Sequence, residues 1–138
     1  LYVIADLATL RAPKYSESDY LEFPGDFLGT VSRYAARLKT PDTERKRATA
    51  IWGGASKGVI FALFMERAGA KIDIVIDINP AKQGKYLAAT GLLIRSPADA
   101  MHMLVPGADI FVMNSNYLGE IQELTAHQFN YLLVEHAA

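Results

Sequence analysis

The stretch that decides the fold reads Ala48-Thr49-Ala50-Ile51-Trp52-Gly53-Gly54-Ala55-Ser56-Lys57-Gly58, a short apolar run that breaks into glycines and then into helix-forming sequence. An apolar run of this length suits a buried strand, and the glycines suit a tight turn that opens a helix. The segment from Lys57 to Arg67 carries Val59, Ile60, Phe61, Leu63, Phe64 and Met65. It is apolar on nearly every side, so heavy burial is expected. Gly69 stands where a helix C-cap is expected.

Working outward toward the C-terminus, Ile72-Asp73-Ile74-Val75-Ile76-Asp77 has the β-branched richness of a second strand. A loop with Asn79-Pro80 and Gln83-Gly84 leads to a short third strand at Gly91-Leu92-Leu93-Ile94. Ser96 is expected to cap a helix with Pro97 at its first position. Ala108-Asp109-Ile110-Phe111-Val112-Met113 reads as the fourth strand and Tyr131-Leu132-Leu133-Val134 as the fifth. Between them Asn116 is expected to cap a helix running to His127, with Leu118, Ile121 and Leu124 on one face. Strands that alternate with helices pair in parallel, because parallel neighbours need a crossover. Right-handed crossovers then leave an α/β fold, a Rossmann-like doubly wound parallel sheet in the order 3-2-1-4-5, over residues 46–138.

Toward the N-terminus the pattern changes, and residues 1–45 read as a linker and helix attached to that unit. After the apolar run Leu1-Tyr2-Val3-Ile4-Ala5 comes a polar stretch over residues 11–19 that contains Pro13. Asp26 is a candidate N-cap, and Phe27, Val31, Tyr34 and Leu38 follow at the spacing of one helical face. Thr40-Pro41 ends that helix, since the residue before proline is pushed out of helical geometry. Such a helix either packs on a neighbouring sheet or links two domains. The sequence begins at Leu1 in what reads as a strand, so a fragment is expected, its first residues the tail of a preceding domain.

Composition narrows the function. The 138 residues carry a formal net charge of −1, which gives no reason to expect a nucleic-acid or membrane-surface partner. The basic run Arg45-Lys46-Arg47 reads as a solvated flank. With no cysteine, disulfides, thiolate zinc sites and cysteine nucleophiles are excluded. No apolar run reaches the ~18 residues of a membrane span, and no signal peptide is visible, so a cytoplasmic protein is expected.

In sheets of this kind a ligand binds beyond the carboxyl ends of the strands, where the strand order reverses. Here that point lies between Trp52 and Met113. It brings Gly53, Gly54, Ala55, Ser56, Lys57 and Gly58 to face Asn114, Ser115, Asn116 and Tyr117, with Glu120 one turn further on. Glycines let the backbone approach, helix N–H groups and dipole favour an anion, and Lys57 adds charge. Against G-x-G-x-x-G the second glycine is Ala55, whose methyl weakens a dinucleotide reading. Against a P-loop, Val59 stands where lysine is required, which removes that reading. Asp77 is either a ribose-binding acid or, with Asn79, an organiser of the turn before Pro80. Glu120 either meets a ligand or complements its helix dipole. His102, His127 and His136 are scattered, without metal-ligand spacing. No paired carboxylates or nucleophile elbow is found, so no catalytic residue is assigned and a binding domain is expected.

Three blocks carry a resemblance: Ile51-Trp52-Gly53-Gly54-Ala55-Ser56-Lys57-Gly58, then Val75-Ile76-Asp77-Ile78-Asn79-Pro80-Ala81-Lys82-Gln83-Gly84-Lys85-Tyr86, then Met113-Asn114-Ser115-Asn116-Tyr117 with Glu120-Ile121. In this order, over about residues 48–136, they resemble the C-terminal domain of SAM-dependent C-methyltransferases acting on nucleotide-linked sugars. Two departures are Gly54-Ala55, reversed from the commoner Ala-Gly, and Ser115, where proline or a similar residue is frequent. The resemblance implies a zinc-binding segment and a SAM-binding domain earlier in the polypeptide, and a C-terminal domain that packs on the latter without holding SAM itself. It further implies that Ser56, Lys57 and the loop N–H groups hold phosphate or ribose, while Asp77, Asn79, Lys82 and Asn114 line a nucleotide-sugar crevice. Two other readings stay open: a free-standing nucleotide- or NAD(P)-binding regulatory module, and a structural domain with a vestigial site.

Overall fold

The computed structural model describes residues 27–39 and 48–134. Helix α1 (Phe27–Lys39) precedes strand β1 (Ala50–Trp52), helix α2 (Ser56–Arg67) and strand β2 (Ile74–Ile76). Strand β3 (Ile94–Arg95), helix α3 (Pro97–Met103), strand β4 (Asp109–Val112), a 3₁₀ turn at Ser115–Tyr117, helix α4 (Leu118–Leu124) and strand β5 (Asn130–Leu133) complete it. The five strands form one parallel sheet in the order β3-β2-β1-β4-β5, as the alternation of strand and helix signals led one to expect.

Register sorts the side chains into two cores. Ile51 lies level with Val75 and Phe111, and these point to the face covered by α1 and α2, where Phe61, Met65 and Val31 are buried. Ala50 and Trp52 lie level with Ile74 and Ile76 on one side and Ile110 and Val112 on the other. They point to the opposite face, covered by Ala100 of α3 and Ile121 of α4. Both faces are thus apolar, which is why β1, β2 and β4 read as continuous apolar runs rather than alternating ones.

Glycines set the closest approaches. Gly53 adopts φ +117°, a left-handed conformation that favours glycine, and turns the chain from β1 into α2. A β-carbon on residue 58 would lie 2.0 Å from the Gly53 carbonyl oxygen, so only glycine lets α2 pack this closely on the strand end. At the other end Gly69 (φ +72°) donates to the Glu66 carbonyl and Ala70 donates to that of Met65, a Schellman cap that stops the helix where expected. The helix buries Phe61, Ala62 and Met65, but Ile60 faces solvent, so its apolar girdle is wider than its buried face.

Three local expectations are corrected. The third strand begins at Ile94 rather than Gly91: Ala89 (φ 67°) and Gly91 (φ +69°) reverse the chain, and Leu87 and Leu92 pair as a hairpin (2.7 Å) before the chain enters the sheet. The crossover from β2 to β3 accordingly contains no helix. Asn116 is not the cap of the helix after β4; the Asn114 side chain accepts from the Asn116 N–H (3.1 Å) and caps the 3₁₀ turn that leads into α4. That helix ends at Leu124, because Ala126 and His127 both take positive φ. Ser96 caps α3 as expected, accepting from the Asp99 N–H, with Pro97 at the first position.

Helix α1 packs on the sheet, the first of the two arrangements its sequence allows. Phe27, Val31 and Ala35 join the core that contains Phe61 and Phe111. Tyr34 meets the Phe111 ring edge-on at 5.1 Å, and its hydroxyl donates to the Leu133 carbonyl at 2.8 Å. Arg37 forms two hydrogen bonds to the Asp109 carboxylate, at 3.1 and 3.2 Å. Apolar burial holds the helix more than charge does. Burying Phe27 or Val31 contributes about 1.5–3 kcal/mol each, whereas an ion pair whose basic side chain is 39% exposed contributes up to ~1 kcal/mol. The candidate cap Asp26, the run Leu1–Ala5, Thr40-Pro41, Arg45–Arg47 and His136 lie outside the described residues.

Two stability measurements test this packing. Gly58→Ala is expected to cost roughly 3 kcal/mol, read as a lower urea midpoint at unchanged m-value, because strand and helix must separate. A chain shortened to residues 46–138 uncovers Phe61 and Phe111 and is expected to lose cooperative thermal unfolding, since the missing burial rivals the ~5–15 kcal/mol of a whole domain. A sharp transition at the original temperature would show α1 to be dispensable.

Candidate functional site

The carboxyl ends of β1, β2 and β4 open onto a cleft of about 580 Å³ at the point where the strand order reverses. Its walls are the glycine loop (Gly53, Ala55, Lys57, Gly58), the residues after β2 (Asp77, Ile78) and the chain from Met113 to Leu124. The two sides are held level by backbone bonds: the Gly53 N–H donates to the Ile76 carbonyl (2.8 Å) and the Met113 N–H to that of Trp52 (3.1 Å).

Of the residues expected at the site, Gly53, Ala55, Lys57, Gly58, Asp77, Asn114, Ser115, Tyr117 and Glu120 line the cleft. Five others do not. Gly54 lies behind the loop, where a β-carbon would come within 3.4 Å of Asp77, Ile94 and Val75. Ser56 is exposed on the first turn of α2. The Asn79 side chain accepts from the Ala81 N–H, Lys82 pairs with Asp77, and Asn116 is exposed beside its bond to Asn114. The order Gly54-Ala55 thereby gains a reason: a β-carbon on residue 54 would crowd the Asp77 carboxylate at 3.3 Å, while the alanine sits at the helix cap in the cleft lining.

Sequence reasoning missed the apolar part of the lining, Trp52, Ile78, Met113, Ile121 and Leu124. Trp52 and Met113 read as strand ends and Ile121 and Leu124 as one core-facing helical stripe. The stripe divides in space. Ile121 is buried against the sheet, and Leu124 is exposed at the cleft edge, as are Ile78 and Tyr117. The available signal was position, since each lies within a few residues of a strand's carboxyl end or on the first helix beyond it.

Asp77 knits the floor together. Its Oδ2 accepts from the Gly54 N–H and from the Lys82 ammonium, both at 2.9 Å, and its Oδ1 accepts from the Asn79 N–H at 2.9 Å. The Gln83 side chain donates to the Asp77 carbonyl at 3.0 Å. Burial pushes this carboxyl up, but the bonds from Asn79, Lys82 and Gly54 together outweigh it and hold the group below its ordinary value. Asp77 thus organises the turn before Pro80 and fastens that turn to the glycine loop.

At the start of α2, Ala55 occupies the cap position and offers no side-chain acceptor to the first-turn N–H groups. Those groups, Lys57 and the helix dipole give one end of the cleft a positive character, and Glu120 and Asn114 face it from the other wall. Among the described residues no group of three His, Asp or Glu side chains is arranged to hold a metal ion, and no helix is long and apolar enough to cross a membrane. His102 and His127 are exposed and away from the cleft lining. No family profile matches the sequence, and no curated protein matches it.

The Asp77 contacts set a pH window. With the folded value depressed below an unfolded value near 3.8, the carboxylate's contribution is complete above that value and is lost as pH falls through the folded one. In an NMR titration the midpoint for the Gly54 amide is expected below 3.8. Asp77→Asn should abolish the transition, and a midpoint at or above 3.8 would contradict the geometry.

Proposed function

We propose that this chain is the substrate-side domain of a SAM-dependent C-methyltransferase acting on a nucleotide-linked sugar, and that the cleft holds the nucleotide end of that substrate. The observation that carries the reading is convergence: the three sequence blocks, some seventy residues apart at their extremes, meet around one cleft. Its volume lies in the ~300–1,000 Å³ range of small-molecule sites. Its chemistry is divided in the way a nucleotide requires. The α2 end with Lys57 suits the diphosphate, the apolar wall of Trp52, Ile78, Met113 and Leu124 suits a base, and Asn114 and Glu120 suit hydroxyl groups.

Three protein donors already engage the Asp77 carboxylate, the group a cofactor ribose would use, which weighs against SAM in this cleft. In this reading the methyl donor belongs to a preceding domain of the same polypeptide, and methyl transfer needs residues outside this chain. The same engagement of Asp77 by three protein donors, with the Ala55 methyl, weighs against a free-standing NAD(P)-binding module.

Binding to the ¹⁵N-labelled chain decides between these readings. Nucleoside diphosphate-sugars are expected to shift the amides of residues 53–58 and 114–120, and SAM to leave them in place. Shifts with SAM and none with the diphosphate-sugars would overturn the assignment. Micromolar NAD(H) binding lost on Asp77→Ala would establish the regulatory module instead.

A further inference from the structure

The cleft contains a feature that opposes its proposed ligand: a carboxylate lies on its floor. The Asp77 side chain is 9% exposed and lines the cleft, close to the loop that would receive a phosphate. Two of its three donors, the N–H groups of Gly54 and Asn79, are dipoles with no net charge. Lys82 supplies the cation, 2.9 Å from Oδ2, and Lys82 is not itself part of the cleft lining. The loop is folded to deliver it. The Asn79 carbonyl accepts from the Lys82 N–H (3.0 Å), the Asn79 side chain fixes Ala81, and Gln83 anchors to the Asp77 carbonyl, so the ammonium returns to the carboxylate five residues back.

We propose that Lys82 is a specificity-determining counter-charge: it cancels the Asp77 carboxylate so that the cleft accepts an anionic ligand, without touching that ligand. The proposal rests on the reading of the cleft as a nucleotide site. Asp77 serves as an acceptor, because it ties the glycine loop to the β2 loop through bonds from the Gly54 and Asn79 N–H groups. Its charge is a by-product that Lys82 removes. A like charge left a few ångströms from a phosphate weakens binding by about tenfold per phosphate charge at the partial screening of a protein surface.

The test uses uridine, its monophosphate and its diphosphate as probes of increasing charge, with dissociation constants from calorimetry. In Lys82→Met the monophosphate is expected to bind at least about tenfold more weakly and the diphosphate more weakly still, while uridine changes less than twofold. Lys82→Arg keeps the charge and is expected to follow the wild type across the series. Adding Asp77→Asn to Lys82→Met should restore the preference for the diphosphate. Equal losses for all three probes would reduce Lys82 to a loop fastener and overturn the proposal. Failure of Asp77→Asn to restore the preference would show that Lys82 contacts phosphate directly, which also overturns it. If the wild type binds none of the probes, the nucleotide reading of the cleft falls, and the counter-charge role with it. Where that double variant unfolds, Asp77→Ser replaces Asp77→Asn beside Lys82→Met, with the same two outcomes.

Discussion

The Gly53 carbonyl stands where a β-carbon on residue 58 would have to be, and much of the molecule is arranged around that missing atom. Two glycines five positions apart let α2 start almost on top of the end of β1. This closeness sinks Phe61 and Met65 into the sheet. It also turns the uncapped first turn of α2, with Ala55 at its head, toward the carboxyl ends of the strands. A helix held further out would leave a void beneath Phe61 and a shallower cleft. One backbone contact therefore links core packing to the shape of the site.

Asp77 imposes the second constraint. The loops after β1 and β2 lie beyond the paired strands, held to the sheet where Gly53 donates to Ile76 and Asp77 to Arg95, and a mobile pair would make a poor binding surface. The carboxylate joins them by accepting from Gly54 on one side and Asn79 on the other. The acid at the end of β2 thus occupies the position from which such acids reach a ribose, yet its hydrogen bonds run into the protein. The short Asx turn at Asn79, the Lys82 pair and the Gln83 anchor give the residues of Asp77-Ile78-Asn79-Pro80-Ala81-Lys82-Gln83 mostly structural roles, with Ile78 left exposed at the cleft edge.

Helix α1 changes what counts as the folded unit. By composition it belongs to an attachment ahead of the sheet, but its apolar face completes the core over Phe61 and Phe111. Its polar contacts go to the outer side of the sheet. Tyr34 satisfies the Leu133 carbonyl on β5, the strand at one edge, and Arg37 meets Asp109 at the start of β4. A side chain spent on an edge strand also reduces the unpaired backbone available for unwanted strand pairing.

Much of this was legible in the sequence. Strand and helix periodicity and the caps at Gly69 and Ser96 followed from local patterns, because each depends on residues a few positions apart, and the strand order followed from the crossover rule applied to their alternation. The glycine loop, Asp77, Asn114, Tyr117 and Glu120 could be named as facing one another, because topology alone brings strand ends together. What the sequence could not show was orientation. Whether Leu124 joins the core or the cleft, whether Lys82 points to a ligand or to Asp77, and whether α1 packs or links all turn on side-chain direction and long-range contact. Periodicity assigns a residue to a face. Only the packed structure, in which side chains meet across long sequence separations and compete for the same space and the same partners, decides what that face meets.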